Sequence, residues 1–127
     1  MPHRGEVPLR YHGKPVGDGH CVALVREVTG LPPTAYWRRG AKVRGHAPPL
    51  PAGTAIACFD QAGRYTSRTD GTAHAAILIA EQSDGLLVWD QWLSHPTSQR
   101  VIRFRGGASG NVINDGDAFY AIELVDT

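Results

Sequence analysis

The chain has 127 residues, of which 42% are hydrophobic and 20% are charged, and its 13 basic and 12 acidic side chains give a formal net charge of +1. This size and balance predict a single globular domain over residues 1–127. The mixed charge excludes the strongly basic or acidic surfaces typical of proteins that bind nucleic acid or a membrane surface.

Residues 1–16 are predicted to form an irregular arm, because glycine and proline recur along them. The next stretch, GDGHCVALVREVTG at residues 17–30, predicts a short amphipathic helix. Asp18 is the candidate N-cap of this helix, and Gly30 is positioned to end it. Four side chains with helical spacing form its apolar face: Cys21, Leu24, Val25 and Val28.

The segment TAYWRRGAKV, residues 34–43, is predicted to be a second short helix. After a proline-rich loop, the apolar period changes to two residues, which is typical of strands. Five segments are predicted strands: residues 54–59, 74–80, 86–92, 100–104 and 118–125. We therefore expect the α+β class, with N-terminal helices packed on a mainly antiparallel sheet of about five strands.

Cys21 is a candidate nucleophile because of its place in the first turn of the predicted helix. Backbone N–H groups lack intrahelical partners there and the helix dipole is positive, which favours the reactive thiolate. The same N–H groups can hold an oxyanion on a carbonyl that the sulfur attacks. The alternatives are a packed structural cysteine, or a disulfide between Cys21 and Cys58, the two cysteines of the chain.

A cysteine nucleophile needs a base, and His74 is the best candidate among the six histidines. It opens the apolar segment HAAILIA, so a strand would give its ring a rigid platform. The alternative is a solvated ring, or one satisfied within the core. The other five histidines lie in predicted tails, loops or strand ends: His3, His12, His20, His46 and His95.

A third group should orient the imidazole, and two neighbouring residues compete for this role. The segment HAAILIAEQSDGLLVWDQW predicts a β-hairpin. If Ala80 pairs with Leu86, Asp90 lies on the same sheet face as His74. A register of opposite parity places Gln91 there instead. Only Asp90 would add a charge that stabilises an imidazolium.

The order of these residues resembles the cysteine amidases of the CHAP and NlpC type, whose core fold is papain-like. GDGHCVALV is similar to the GxCVxxV block of CHAP domains, PAGTAIACF to their PGDIAVF strand and GLLVWDQW to their I-x-V-x-E segment. Trp37 stands where these domains often carry a tryptophan. GKPVGDGHCVALV, HAAILIA, VWDQW and NDGDAFYAIE also resemble a small stand-alone proteobacterial family linked to type VI secretion amidase effectors.

The resemblance implies that Cys21 is the nucleophile, His74 the base and Asp90 the orienting acid. It implies hydrolysis of an amide bond in the peptide stem of peptidoglycan, with no metal or organic cofactor. Many CHAP domains carry glutamine immediately before the cysteine, where this chain has His20. Candidates for the oxyanion hole or substrate cleft are His20, Tyr11, Gln91, Trp37 and Trp92, with core packing favoured for the two tryptophans.

The resemblance also implies two partners beside the peptidoglycan peptide: a component of a secretion apparatus and a cognate immunity protein. The opening residues lack an apolar segment of signal-peptide length. We therefore expect synthesis in the bacterial cytoplasm, then secretion and action in the periplasm of a target cell; a phage lysin and a recycling enzyme are alternatives. Other hypotheses are a non-catalytic binding module on the same fold, and metal binding by His12, His20 and Cys21.

Overall fold

The computed structural model describes residues 3–66, 73–106 and 112–125. Within these ranges the chain forms one α-helix and six strands joined in one antiparallel sheet, with the order β1-β6-β2-β3-β4-β5. The α+β class is confirmed. The expectation of several N-terminal helices is wrong, and the sheet has six strands where about five were expected. The elements are α1 (Cys21–Thr29), β1 (Trp37–Lys42), β2 (Ala55–Ala57), β3 (Ala75–Glu81), β4 (Gly85–Trp92), β5 (His95–Arg103) and β6 (Tyr120–Leu124).

Helix α1 is the amphipathic helix expected from the sequence. Leu24 and Val25 have no exposed surface, so the apolar stripe faces the core. Gly30 ends the helix in the left-handed conformation, at φ 74°, and its N–H donates to the carbonyl of Arg26 at 2.9 Å. The predicted N-cap is wrong, because the cap is His20.

Asp18 instead shapes the turn that leads into the helix. Its Oδ1 accepts a hydrogen bond from the backbone N–H of His20 at 3.0 Å. Because that amide belongs to the residue before the helix, the bond forms a local turn and does not cap the helix. The helix consequently begins at Cys21 itself.

Residues 34–43 do not form the predicted helix. A 3-10 turn, Thr34–Tyr36, leads into β1, in which Trp37 pairs with Leu124 of β6. Only the first residue of β1 is buried. This edge strand therefore lacks the two-residue apolar alternation by which a strand is recognised in a sequence.

The hairpin of β3 and β4 keeps the predicted pairing near the candidate site but not near its turn. Leu78 pairs with Val88, as the first of the two registers requires. Ala80 pairs with Leu87 and not with Leu86, because β3 carries a bulge between Leu78 and Ala80. The bulge shifts the register by one residue. On the side of the bulge nearer His74, the pairing is that of the register that favours Asp90.

Apolar side chains cover both faces of the sheet. On one face, α1 packs over a cluster that includes Leu24, Val25, Ile77, Trp89 and Ile122. The other face carries a second cluster that includes Ile56, Leu78, Val88, Ile102 and Phe119. No helix in the described part of the chain combines the length and apolar character of a membrane span.

The N-terminal arm lies along the sheet and contains one 3-10 turn, Leu9–Tyr11. Its Gly5 N–H donates to the carbonyl of Gly53 at 2.9 Å. Gly5 also passes directly against the end of α1, since an added Cβ would lie 1.9 Å from the carbonyl oxygen of Val28. The arm is thus fixed to the fold before it reaches Cys21.

Candidate active site

Cys21 occupies the first position of α1, where it is half-buried. Its Sγ lies 3.7 Å from the hydroxyl oxygen of Tyr65, and the His74 side chain and the backbone N–H of Ala75 are near enough to lower its pKa. Cys58 is a separate, buried cysteine, and the two sulfurs form no disulfide. The alternative of a Cys21–Cys58 disulfide is therefore wrong.

The surroundings of Cys21 favour its thiolate. Burial alone would raise the pKa of the thiol, but the hydrogen bond from His74 and its positive charge lower it. The N–H of Ala75 and the hydroxyl of Tyr65 act in the same direction. Together these effects outweigh burial and hold the pKa of Cys21 below its ordinary value of 9.0.

His74 lies immediately before β3 and is almost completely buried. Its carbonyl accepts a hydrogen bond from the Cys58 N–H at 3.0 Å, which fixes its backbone to β2 and the segment that follows. Its Nε2 lies 2.8 Å from Oδ2 of Asp90. Because Nε2 is used for Asp90, Nδ1 is the ring nitrogen left for Cys21.

The pKa of His74 is raised to about 9. Burial alone would lower the pKa. The interactions with Asp90 and Cys21, and the negative charges of both partners, raise it by more than burial lowers it. A lowered thiol pKa beside a raised imidazole pKa favours the thiolate–imidazolium pair near neutral pH.

Asp90 is fully buried, and its Oδ2 has two partners. Besides His74, it accepts a hydrogen bond from Nε of Arg100 at 2.7 Å. Among the described residues, Oδ1 of Asp90 is the one buried side-chain polar atom without a hydrogen-bond partner. The carboxylate is thus held by a single oxygen between an imidazole and a guanidinium.

Trp92, the last residue of β4, lies against His74. Its ring meets that of His74 edge-on, with centroids 6.2 Å apart, and is stacked on His95 at 4.1 Å. The guanidinium carbon of Arg100 lies 5.1 Å from the centre of the same indole. Trp92 remains 38% exposed, so it forms a rim beside the histidine.

Gln91 does not line an open cleft, because its side chain has no exposed surface. As the residue that directly follows Asp90 in β4, it points to the opposite face of the sheet. Its amide makes four hydrogen bonds, to the N–H and carbonyl of Val16, the carbonyl of His20 and the hydroxyl of Thr97.

The other predicted cleft residues lie in different environments. His20 is exposed, makes no capping hydrogen bond with its side chain, and lines a cavity of about 520 Å³ beside α1. Tyr11 is half-buried and packs on the core beneath α1. Trp37 is a fully buried core residue whose Nε1 donates to the carbonyl of Pro32 at 2.8 Å.

Two residues that contact the candidate site have no sequence signal. Tyr65 lies between β2 and β3, and its ring packs edge-on against Trp37 and Phe59 at 5.1 and 6.3 Å. Burial and then the charge of Cys21 raise the pKa of Tyr65, so its hydroxyl stays protonated. Arg100 reaches Asp90 only through the pairing of β4 with β5, which no motif in the sequence indicates.

The described residues offer no group of three histidine, cysteine or acidic side chains placed to bind a metal ion. His12, His20 and Cys21 therefore do not form the metal site that their presence in one segment suggested.

The sequence and the fold both match known proteins. The family described as domesticated amidase effector 2 matches residues 3–122. A domesticated amidase effector 2 of Ixodes scapularis is 41% identical over 113 residues, covering 86% of this chain and 74% of that protein. A type VI secretion amidase effector 2 protein of Salmonella typhi is 34% identical over 104 residues, covering 80% and 76%.

A solved structure, titled type 6 secretion amidase effector 2 (Tae2), has the same fold. It superposes with a TM-score of 0.78 and 27% sequence identity, covering 95% of this chain and 96% of that chain. The likeness thus includes the sheet and the helix that carry the candidate site.

Proposed function

Because this chain belongs to the domesticated amidase effector 2 family, an NlpC/CHAP-like amidase family that includes type VI secretion effectors, we propose that it is a cysteine amidase that hydrolyses amide bonds in peptidoglycan peptides. The series Cys21, His74 and Asp90 carries this proposal: Asp90 is hydrogen-bonded to His74, and His74 lowers the pKa of Cys21. We also propose that residues 1–127 form one catalytic domain with a papain-like core.

In the proposed reaction, Cys21 is the nucleophile. Its thiolate attacks the carbonyl carbon of the substrate amide and forms a tetrahedral intermediate. The imidazolium of His74 then gives its proton to the leaving amine, so the C–N bond breaks and an acyl-enzyme thioester remains. A water molecule, deprotonated by His74, attacks the thioester and releases the acid and Cys21.

The start of α1 supports the charge that develops on the substrate oxygen. The N–H of Cys21 lies at the first helical position and has no intrahelical acceptor, and the helix dipole adds positive potential. These are the properties of an oxyanion hole. The exposed imidazole of His20 adjoins this position and is the proposed second donor.

Asp90 is proposed to orient His74 and to stabilise its charged form. Its Oδ2 fixes Nε2 of the ring at 2.8 Å and leaves Nδ1 for the sulfur. Arg100 holds the same oxygen at 2.7 Å and thereby restrains the carboxylate. Trp92 lies against both His74 and Arg100 and is proposed to limit the access of water to them.

The name of the Salmonella typhi relative supports a proposal for where the enzyme acts. We propose secretion by a type VI apparatus, action on the wall of a target cell, and an immunity protein that protects the producer. In this arrangement the partners are a secretion component, the immunity protein and the peptidoglycan peptide.

The decisive experiment compares digestion of purified sacculi by the native protein and by Cys21→Ala and His74→Ala. We expect new amino groups and shortened muropeptides with the native protein, and at least a 100-fold loss with either variant. Mass spectrometry of the products identifies the bond that is cut. Hydrolysis by Cys21→Ala at the native rate would refute the proposal, and binding of sacculi without turnover by the native protein would favour a binding module.

A further inference from the structure

Gln91 ties β4 to the segment that presents Cys21. Its Oε1 accepts from the Val16 N–H at 2.8 Å and from the Thr97 hydroxyl at 2.9 Å. Its Nε2 donates to the carbonyls of Val16 and His20, both at 2.8 Å. Both amide hydrogens and both acceptor positions of the side chain are therefore used.

These contacts enclose a turn that ends at the nucleophile. Val16 opens the turn, and its carbonyl also accepts from the Gly19 N–H at 3.1 Å. Gly17 and Gly19 have positive φ values of 60° and 86°, a conformation that other residues rarely adopt. His20, the helix cap, precedes Cys21 directly, so Gln91 holds the first residue of the turn and the last residue before the nucleophile.

Thr97 strengthens the same attachment from β5. Its N–H donates to the carbonyl of Lys14 at 3.1 Å, and its carbonyl accepts from the Gly13 N–H at 2.8 Å. Its side chain, which has no exposed surface, donates to Gln91. Residues 13–20 are thus fixed to the β4–β5 hairpin by both a backbone ladder and a buried amide.

We propose that Gln91, supported by Thr97, is a positioning residue that holds Cys21 beside His74. It touches neither the sulfur nor the substrate, and acts through the backbone of residues 16–20. On the same strand Asp90 holds the histidine, so one dipeptide of β4 sets the distance between nucleophile and base. The catalytic part of this inference rests on the proposed function.

The test uses Gln91→Met, which keeps the length of the side chain without its hydrogen bonds or a new charge. Thr97→Val is a milder variant, because it removes one hydroxyl and leaves the three bonds from Gln91 to the turn. Thr54→Val is the matched control: Thr54 is also a threonine without exposed surface, and its hydroxyl donates to Pro51 at 2.6 Å. All three are compared with the native protein at a temperature where each is folded by circular dichroism.

Two readouts separate positioning from a loss of stability. We expect Gln91→Met to lower kcat about 10- to 100-fold while KM changes less than about twofold, because small displacements of a catalytic group cost rate. Alkylation of Cys21 by iodoacetamide should also shift its pH midpoint upward, as the thiolate loses its partner. Thr97→Val should show smaller changes of the same sign, and Thr54→Val neither.

A folded Gln91→Met protein with the native kcat and alkylation midpoint would overturn the inference. If that variant does not fold, Thr97→Val decides, and behaviour identical to Thr54→Val overturns it. Alkylation needs no amide substrate. A shifted midpoint in variants of a protein that hydrolyses no peptidoglycan would therefore support the positioning role while refuting the proposed function.

Discussion

Asp90 and Gln91 are consecutive residues of β4 that bind opposite sides of the candidate site. Oδ2 of Asp90 lies 2.8 Å from Nε2 of His74, and Nε2 of Gln91 lies 2.8 Å from the carbonyl oxygen before Cys21. Because successive strand residues point to opposite sheet faces, neighbours can hold two partners that approach from different sides. The positions of the Cys21 sulfur and the His74 imidazole are thereby both fixed by β4.

The pH dependence of activity should follow the ionisation of His74. Its pKa is raised to about 9, so the imidazolium persists below that pH and is lost as the pH rises through it. Cys21 gains a proton only below its own lowered pKa. We expect a bell-shaped profile of kcat/KM whose alkaline limb has a midpoint near pH 9. An alkaline midpoint at the ordinary histidine value of 6.5 would contradict this.

Asp90→Asn should move that alkaline limb to lower pH. The substitution keeps the shape of the side chain but removes the charge that raises the pKa of His74. We expect kcat to fall about 10- to 100-fold, because less imidazolium is present to protonate the leaving amine. Histidine proton titration by NMR, beside the rate profile, provides the measurement.

The matched control for this substitution is Asp84→Asn. Asp84 pairs with Arg103 at 3.1 Å on the exposed part of the hairpin turn, so the same change there should leave both the profile and kcat unaltered. An Asp90→Asn protein whose alkaline midpoint stays near pH 9 would show that the carboxylate does not set the pKa of His74.

Local features of the sequence predicted the elements that carry the nucleophile and the base. The apolar stripe of α1 and the glycine that ends the helix could be predicted, because helical periodicity and a left-handed cap depend only on residues that are close in the sequence. The pairing of Leu78 with Val88 was also predictable. The bulge beside it was not, because nothing in the alternation of HAAILIA distinguishes a bulged residue from a regular one.

Contacts between distant segments could not be predicted in this way. Tyr65 reaches Cys21 from a loop 44 positions away, and its place depends on packing against Trp37. Arg100 shares Asp90 with His74 because β5 pairs with β4 in a register that places Arg100 opposite Val88. β5 also begins earlier than predicted, at His95. The polar beginning of β5 hides its strand character, just as the polar residues of β1 led to a helix prediction.

Iodoacetamide should label Cys21 and spare Cys58 in the folded protein. Cys21 is half-buried with a lowered pKa, whereas burial and then the charge of Cys21 raise the pKa of Cys58 to about 12. At pH 7 the thiolate fraction of Cys58 is then about 10⁻⁵. Intact-mass and peptide analysis should find one label on the native protein, none on Cys21→Ala and two after unfolding in urea. Equal labelling of both thiols in the native protein would contradict the prediction.

Tyr65→Phe tests whether the hydroxyl beside the sulfur stabilises the thiolate. The variant removes an oxygen 3.7 Å from Sγ of Cys21 and keeps the ring that packs on Trp37 and Phe59. Because the hydroxyl lowers the pKa of Cys21, its loss should move the acid limb of kcat/KM and the alkylation midpoint to higher pH. The rate at pH 6 should fall about 2- to 10-fold, the range expected for one hydrogen bond.

The control for this variant is Tyr36→Phe, since Tyr36 is 49% exposed on the 3-10 turn before β1. Its loss of a hydroxyl should leave both pH midpoints unchanged. Urea unfolding should give similar midpoints for the two variants, because neither ring is lost from its packing. An acid limb that does not move in Tyr65→Phe would mean that His74 and the Ala75 N–H alone hold the thiolate, which their larger effects on the pKa of Cys21 make the natural alternative.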